Sequence, residues 1–179
     1  MKKILIVGNP GAGKTTLARQ VSNTLGIPHT ELDGIMWQKD WQSLGNDEFL
    51  RRVLKIADRP SWILCGNYYA TLGKKVWPQA DMIIWLDYPF HKVFYRLVRR
   101  TFRRAVRREE FLNGNKESLK RQLFSSESLF LYFIKSWRST RRMLGDVFAN
   151  PKEYPQAQFL RLKSSADVRH FMRSLKQEL

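Results

Sequence analysis

The chain has 179 residues, 43% hydrophobic and 27% charged, which is enough for one well-buried domain and too few for two ordinary ones. This composition excludes a disordered or low-complexity chain, the lone Cys65 excludes a disulfide framework, and no stretch approaches the roughly 18 apolar residues of a membrane span. The net charge of +16 is local: between Lys92 and Arg142, 15 Lys and Arg stand against 4 Asp and Glu, an excess of 11 that implies a polyanionic partner without naming its kind.

The opening MKKILIV is too short an apolar run for a secretory leader, and its residues 3–7 read as a buried strand entering a glycine-rich turn, so a cytoplasmic location is expected. Residues 14–25 place Leu17, Val21 and Leu25 at helical spacing. A short strand is expected to end near residues 30–33 (TELD), and residues 46–58 predict an amphipathic helix capped by Asn46. The runs at 61–65 and 81–87 have the continuous apolar character of strands buried on both faces, as a parallel sheet requires. A long helical insert over 90–145, broken near 113–115, separates them from a fifth strand at 158–162 and a last helix at 165–177. Strands separated by helices predict an α/β fold, a three-layer sandwich around a five-stranded parallel sheet, within one domain over residues 1–179.

The most informative stretch is Gly8-Asn9-Pro10-Gly11-Ala12-Gly13-Lys14-Thr15, followed by Thr16. It fits the phosphate-loop pattern with a strand before it and a helix after it. Glycines let the backbone curl so that successive N–H groups face phosphate oxygens, and the following helix adds the positive end of its dipole. In such a loop Lys14 reaches the β- and γ-phosphates and the Thr15 hydroxyl ligates Mg²⁺, so ATP and Mg²⁺ are the expected cofactors.

Four further phrases, residues 32–37 (LDGIMW) with Trp41, 66–69 (GNYY), 80–89 (ADMIIWLDYP) and 113–118 (NGNKES), are more specific than the loop. With them the chain resembles, over nearly its whole length, the nucleoside-monophosphate kinase group of P-loop proteins, and more closely the small bacterial adenylate-kinase-like proteins labelled DNA topology modulation proteins. The resemblance implies a P-loop kinase fold with strand order 2-3-1-4-5, ATP binding, an acceptor-side region at 34–60 and a basic lid-like insert at 90–145. It also implies that Arg96 and Arg100 match an R-x-x-x-R pair that contacts ATP. Many of these relatives carry an acid where this chain has Cys65, and a thiol cannot replace a carboxylate in orienting Mg²⁺.

Asp33 is expected at the C-terminal edge of the sheet, where open α/β folds bind ligands, to contact the acceptor or a metal-bound water; a loop cap is the alternative. Asn67 and Tyr68 are candidate acceptor contacts through hydrogen bonding and a stacking face, or else members of a structural turn. Asp87 is either a site carboxylate or the cap of the helix beginning near Pro89. Trp37 and Trp41 are either core or an apolar wall over an acceptor. Arg96, Arg99, Arg100, Arg103, Arg104 and Arg107 span an arc of about 140° at 100° per residue, with Phe94, Val98, Phe102 and Ala105 opposite, which predicts one cationic and one packed face. Lys120 and Arg121 are candidate phosphate contacts near the insert's return, and the aromatic run 128–137 covers the insert's own core or meets a second subunit.

The reading is an ATP- and Mg²⁺-dependent phosphotransferase in which Lys14, Asp33, Arg96 and Arg100 carry the chemistry. Its acceptor is a small molecule, with a nucleoside monophosphate as the default. The rival is a nucleotide-regulated protein that binds nucleic acid through the arginine helix.

Overall fold

The computed structural model describes residues 2–107, 110–111, 113–116 and 129–177. Five parallel strands, β1 (Lys3–Gly8), β2 (His29–Glu31), β3 (Trp62–Cys65), β4 (Met82–Leu86) and β7 (Gln158–Leu162), form a sheet in the order β2-β3-β1-β4-β7. Taken by position among these five, that is the expected order 2-3-1-4-5.

Alternation along each strand sends its side chains to two separate cores. Ile4, Ile6, Ile63 and Ile84 pack with Leu17 and Val21 of α1 (Lys14–Leu25) and Phe171 and Leu175 of α7 (Ser165–Gln177). Leu5, Val7, Leu64, Ile83 and Trp85 pack on the other face with Phe49 and Val53 of α3 (Asn46–Ala57) and with Leu72 of α4 (Tyr69–Leu72). Both faces of the sheet are covered, which is the condition under which an all-parallel sheet is stable. Helix α6 (Leu129–Ala149) serves both cores, Phe133 and Trp137 in the first and Leu144 and Val147 in the second.

β2 stops earlier than the sequence suggests. Leu32 turns inward to pack where Gly66 leaves room, since a Cβ on Gly66 would come within 2.9 Å of Leu32 Cβ. The chain therefore leaves the sheet at Glu31, and Asp33 lies in the first turn of a short helix, α2 (Leu32–Met36).

Among the described residues the insert contains α5 (Phe90–Arg107), a two-stranded hairpin of β5 (Glu110–Phe111) and β6 (Asn115–Lys116), and α6. Asn113 (φ 59) and Gly114 (φ 81) supply the left-handed residues that close the hairpin, so residues 115–116 form a strand and not a resumed helix. Lys120 and Arg121 lie outside the described residues. Rings of Phe90 and Phe94 from α5 and of Phe133 and Trp137 from α6 hold the two helices together, while Leu131, Tyr132 and Ile134 of the same aromatic run are exposed.

The expected division of α5 is corrected by the structure. Val93, Leu97 and Thr101 are fully buried, Arg96, Arg100 and Arg104 are half-buried beside them, and Val98 and Phe102 face outward. The helix is wedged over the phosphate loop, and long arginine stems can pack while their guanidinium heads reach polar surroundings.

Asp87, at the end of β4, is tied into the structure by two arginines. Its side chain is 1% exposed, and its Oδ2 accepts from Arg161 Nη2 at 2.6 Å and from Arg141 Nη2 at 3.3 Å, while the Arg161 guanidinium lies 4.2 Å from the centre of the Trp85 ring. It thus neither caps a helix nor enters the site; it links α6 to β7. Removing a buried carboxylate strands two arginines that can still turn to water, so Asp87→Ala is expected to lower stability by about 2–3 kcal/mol, the shallow end for a broken buried pair. Urea unfolding followed by circular dichroism measures it, and a loss under about 0.5 kcal/mol would contradict the assignment.

Candidate active site

The phosphate loop begins where β1 can carry no side chain: at Gly8 (φ 140) a Cβ would stand 2.6 Å from the Leu86 carbonyl oxygen. Gly11 (φ 82) is constrained less severely, since its Cβ would meet the Val93 carbonyl oxygen at 3.0 Å and Leu97 Cβ at 3.1 Å. Helix α5 therefore lies directly against the loop, which is how Arg96 and Arg100 reach it. Gly13 (φ 97) precedes α1, whose first turn has no side-chain cap. Its N–H groups are thus left for an anion, as at other helix N-termini.

Lys14 Nζ donates to the carbonyl oxygens of Gly8 (2.8 Å) and Asn9 (3.2 Å). Burial draws its pKa below the ordinary lysine value and Arg100 adds to that, while Cys65, Asp33 and Glu31 oppose it. A desolvated ammonium beside a second cation gains from any anion that enters the loop.

The Thr15 hydroxyl donates to Glu31 Oε2 at 2.9 Å. Glu31 was not singled out in the sequence, yet it brings a carboxylate beside Cys65. In the sheet Glu31 is the register partner of Cys65 on the neighbouring strand, so its carboxylate occupies the place next to the expected acid. Burial pushes the Cys65 thiol up to about 12, and it stays neutral. The available signal was the alternation in TELD, which puts Glu31 and Asp33 two residues apart at a strand end; it was obscured because the strand was expected to run on to Asp33.

Asp33 Oδ1 accepts a 2.7 Å hydrogen bond from Tyr68 Oη. Burial first, and the Asp33 charge next, raise the Tyr68 pKa, so the phenol remains a donor. Tyr68 adopts a left-handed conformation (φ 32, ψ 34), and its ring packs 4.7 Å from that of Phe49, tilted by 44°. Such strain in a non-glycine residue, at about 1–3 kcal/mol, persists only where the surroundings enforce it. Asn67 faces the other way: its Oδ1 accepts from the Gly8 N–H at 2.9 Å, joining the end of β3 to the loop.

On the opposite side of the loop a cavity of about 960 Å³ opens between α1 and α7. Arg96 lines it, with its guanidinium 4.5 Å from the centre of the Tyr88 ring and Nη2 donating to Ser165 Oγ at 3.3 Å. Leu86, Val168 and Met172 supply apolar lining and Arg169 a second cation, a combination suited to a flat base joined to anions.

The hairpin tip reaches α2 and the residue that follows it. Asn113 Nδ2 donates to the carbonyl oxygens of Gly34 (3.0 Å) and Trp37 (2.7 Å), immediately after Asp33. Trp37 and Trp41 are half-buried and meet edge to face at 6.3 Å. The sequence-derived residues thus fall into three groups: Lys14, Thr15 and Arg100 at the loop itself, Arg96 at the α1/α7 cavity, and Asp33 with Tyr68 on the side reached by the hairpin.

Residues 4–87 match the family model described as "ATPase family associated with various cellular activities (AAA)". Among curated proteins, threonine synthase-like 1 of Homo sapiens is 24% identical over 181 residues, covering 93% of this chain and 23% of that protein. The Pongo abelii protein of the same name is 29% identical over 110 residues, 54% of this chain and 15% of its own. The chain thus spans less than a quarter of the length of these relatives. Among solved structures, shikimate kinase from Acinetobacter baumannii in complex with shikimate superimposes with a TM-score of 0.55 and 17% identity, covering 99% of this chain and 92% of that one. Shikimate kinase from Bacteroides thetaiotaomicron gives 0.56 and 16%, covering 98% of each chain. Sheet order, phosphate loop and these superpositions together establish that the chain has the P-loop kinase fold, like that of shikimate kinase.

Proposed function

We propose that the protein transfers a phosphoryl group from ATP to a small-molecule acceptor. The observation that carries this reading is the convergence of Lys14, Thr15, Glu31 and Asp33 at the C-terminal edge of the sheet, with Arg100 close enough for its charge to be felt at Lys14. Phosphoryl transfer asks for positioning and charge neutralisation more than for a covalent nucleophile, and these residue types supply both.

In this reading Gly8, Asn9, Pro10, Gly11, Ala12, Gly13 and Thr16 form the cradle of the triphosphate, Lys14 neutralises its terminal oxygens, and the nucleoside lies in the α1/α7 cavity against Arg96. Arg100 adds positive charge as the phosphoryl group moves. The hydroxyl of Thr15 with the carboxylate of Glu31 beside it is a hard oxygen pair, which fits Mg²⁺ in a site where phosphates and water provide the other ligands. When bound, the metal neutralises the phosphates and fixes their orientation. Asp33, held by Tyr68, orients an acceptor hydroxyl and takes its proton. Asn67 contributes by holding Gly8, and Tyr68 closes the acceptor side. The chain acts as one domain over residues 1–179, with 34–60 facing the acceptor and 90–145 closing over it. The finer resemblance to the adenylate-kinase-like DNA topology modulation proteins belongs to this proposal, and a nucleoside monophosphate is the first acceptor to try. Hydroxylated carboxylates come next, because the neighbouring folds include a shikimate complex.

The nucleic-acid alternative loses part of the surface it needs, since Arg96 is engaged with Tyr88 and Ser165 and Arg100 lies at Lys14. The deciding experiment measures ADP release from ATP with Mg²⁺ across a panel of nucleoside monophosphates and hydroxylated metabolites. Stimulation by one class identifies the acceptor. Tight ATP binding with no stimulation by any member rejects transfer to these small-molecule classes.

A further inference from the structure

All eight exposed large hydrophobic side chains among the described residues lie on α5 or α6. On α5, Tyr95 (65% exposed), Val98 (37%), Phe102 (59%) and Val106 (62%) recur at helical spacing and fall within an arc of about 80°. Exposed Lys92 and Arg99 border that arc. On α6, exposed Leu131 and Ile134 share one side of the helix with Lys135 and Arg138. The outer face of α5 is separate from the face that packs on Gly11, and the proposed reaction makes no use of it.

We propose that this outer face is a docking surface for an anionic lipid bilayer. A helix with a narrow apolar stripe beside a row of cations lies in the plane of a membrane interface, its apolar residues entering the acyl boundary and its cations meeting headgroup phosphates. No helix among the described residues is long and apolar enough to cross a membrane, so the contact is peripheral. The charge favours this occupant over a second copy of the chain, because an isologous contact would set the +11 segment against itself. The side chains favour it over nucleic acid: Val98, Val106, Leu131 and Ile134 have no ring to stack on a base but gain by entering hydrocarbon. The proposal stands apart from the phosphotransfer reading.

The test is co-sedimentation of the full chain with vesicles of phosphatidylcholine alone and of phosphatidylcholine containing about 30 mol% phosphatidylglycerol, at low salt and at about 150 mM salt. Binding is expected only to the anionic vesicles and is expected to weaken with salt. Val98→Ser with Phe102→Ser should lower the partition coefficient at least about tenfold, and Arg99→Gln about fivefold, with ATP binding unchanged in both as the control for folding. Equal binding to neutral vesicles, absence of binding to either, or indifference to both variants overturns the proposal. So does dimerisation or oligonucleotide capture that is lost on the Val98 and Phe102 changes while vesicle binding is absent.

Discussion

Lys14→Ala is expected to lower ATP-dependent turnover by a factor on the order of 10² to 10³, the loss usual when a preorganised charge at a reacting centre is removed. The fold should survive, because Lys14 Nζ contributes two hydrogen bonds, both to loop carbonyls. A second readout separates a site role from a structural one. Burial lowers the folded-state pKa of Lys14 below the ordinary 10.5, so below that value the unfolded chain holds this proton more tightly than the folded chain. From the lowered folded value up to 10.5, wild-type stability without nucleotide therefore rises with pH on account of this residue. Lys14→Met should flatten that rise and melt no lower than wild type at neutral pH. Near-normal turnover in either variant would reject the assigned site.

Glu31→Gln is expected to raise the Mg²⁺ concentration needed for half-maximal turnover by about 10- to 100-fold, the range for loss of a residue that supports a metal ligand. The amide keeps the size of the side chain and can still accept from Thr15, so the melting temperature should hold while the metal dependence moves. A complementary variant tests the register argument. Cys65→Asp, placed beside Glu31 on the adjacent strand, adds a second carboxylate near the same point. Combined with Glu31→Gln it should recover part of the lost Mg²⁺ affinity. If Glu31→Gln leaves the Mg²⁺ titration unchanged, the carboxylate is structural only.

The phosphate loop and its flanks were legible from sequence because their signal is local: glycines at positions of positive φ, then a lysine and two threonines at the start of a helix. The strands were legible because their apolar runs are continuous. Glu31 was not, because its importance arises from a lateral pairing with Cys65 that no spacing along the chain encodes. The α5 faces were misread for a related reason. Side-chain pattern alone assigns arginine outward and valine inward, yet Leu97 sits against Gly11 between half-buried Arg96 and Arg100, and Val98 is left outside. Asp87 was ambiguous because its partners, Arg141 and Arg161, come from elements that meet only in the folded chain.

In the proposed reaction, the contact made by the hairpin tip governs how the acceptor side opens. Two water-exposed hydrogen bonds from Asn113 contribute about 0.5 to 1.5 kcal/mol each. A clasp of that strength would, taken alone, leave between roughly one molecule in 150 and one in five detached at any moment, a minority state of the kind that ligands select from. Entry of an acceptor and escape of its product then require no unfolding of the insert. They draw on a reservoir of open molecules refreshed on the microsecond-to-millisecond scale of such loops.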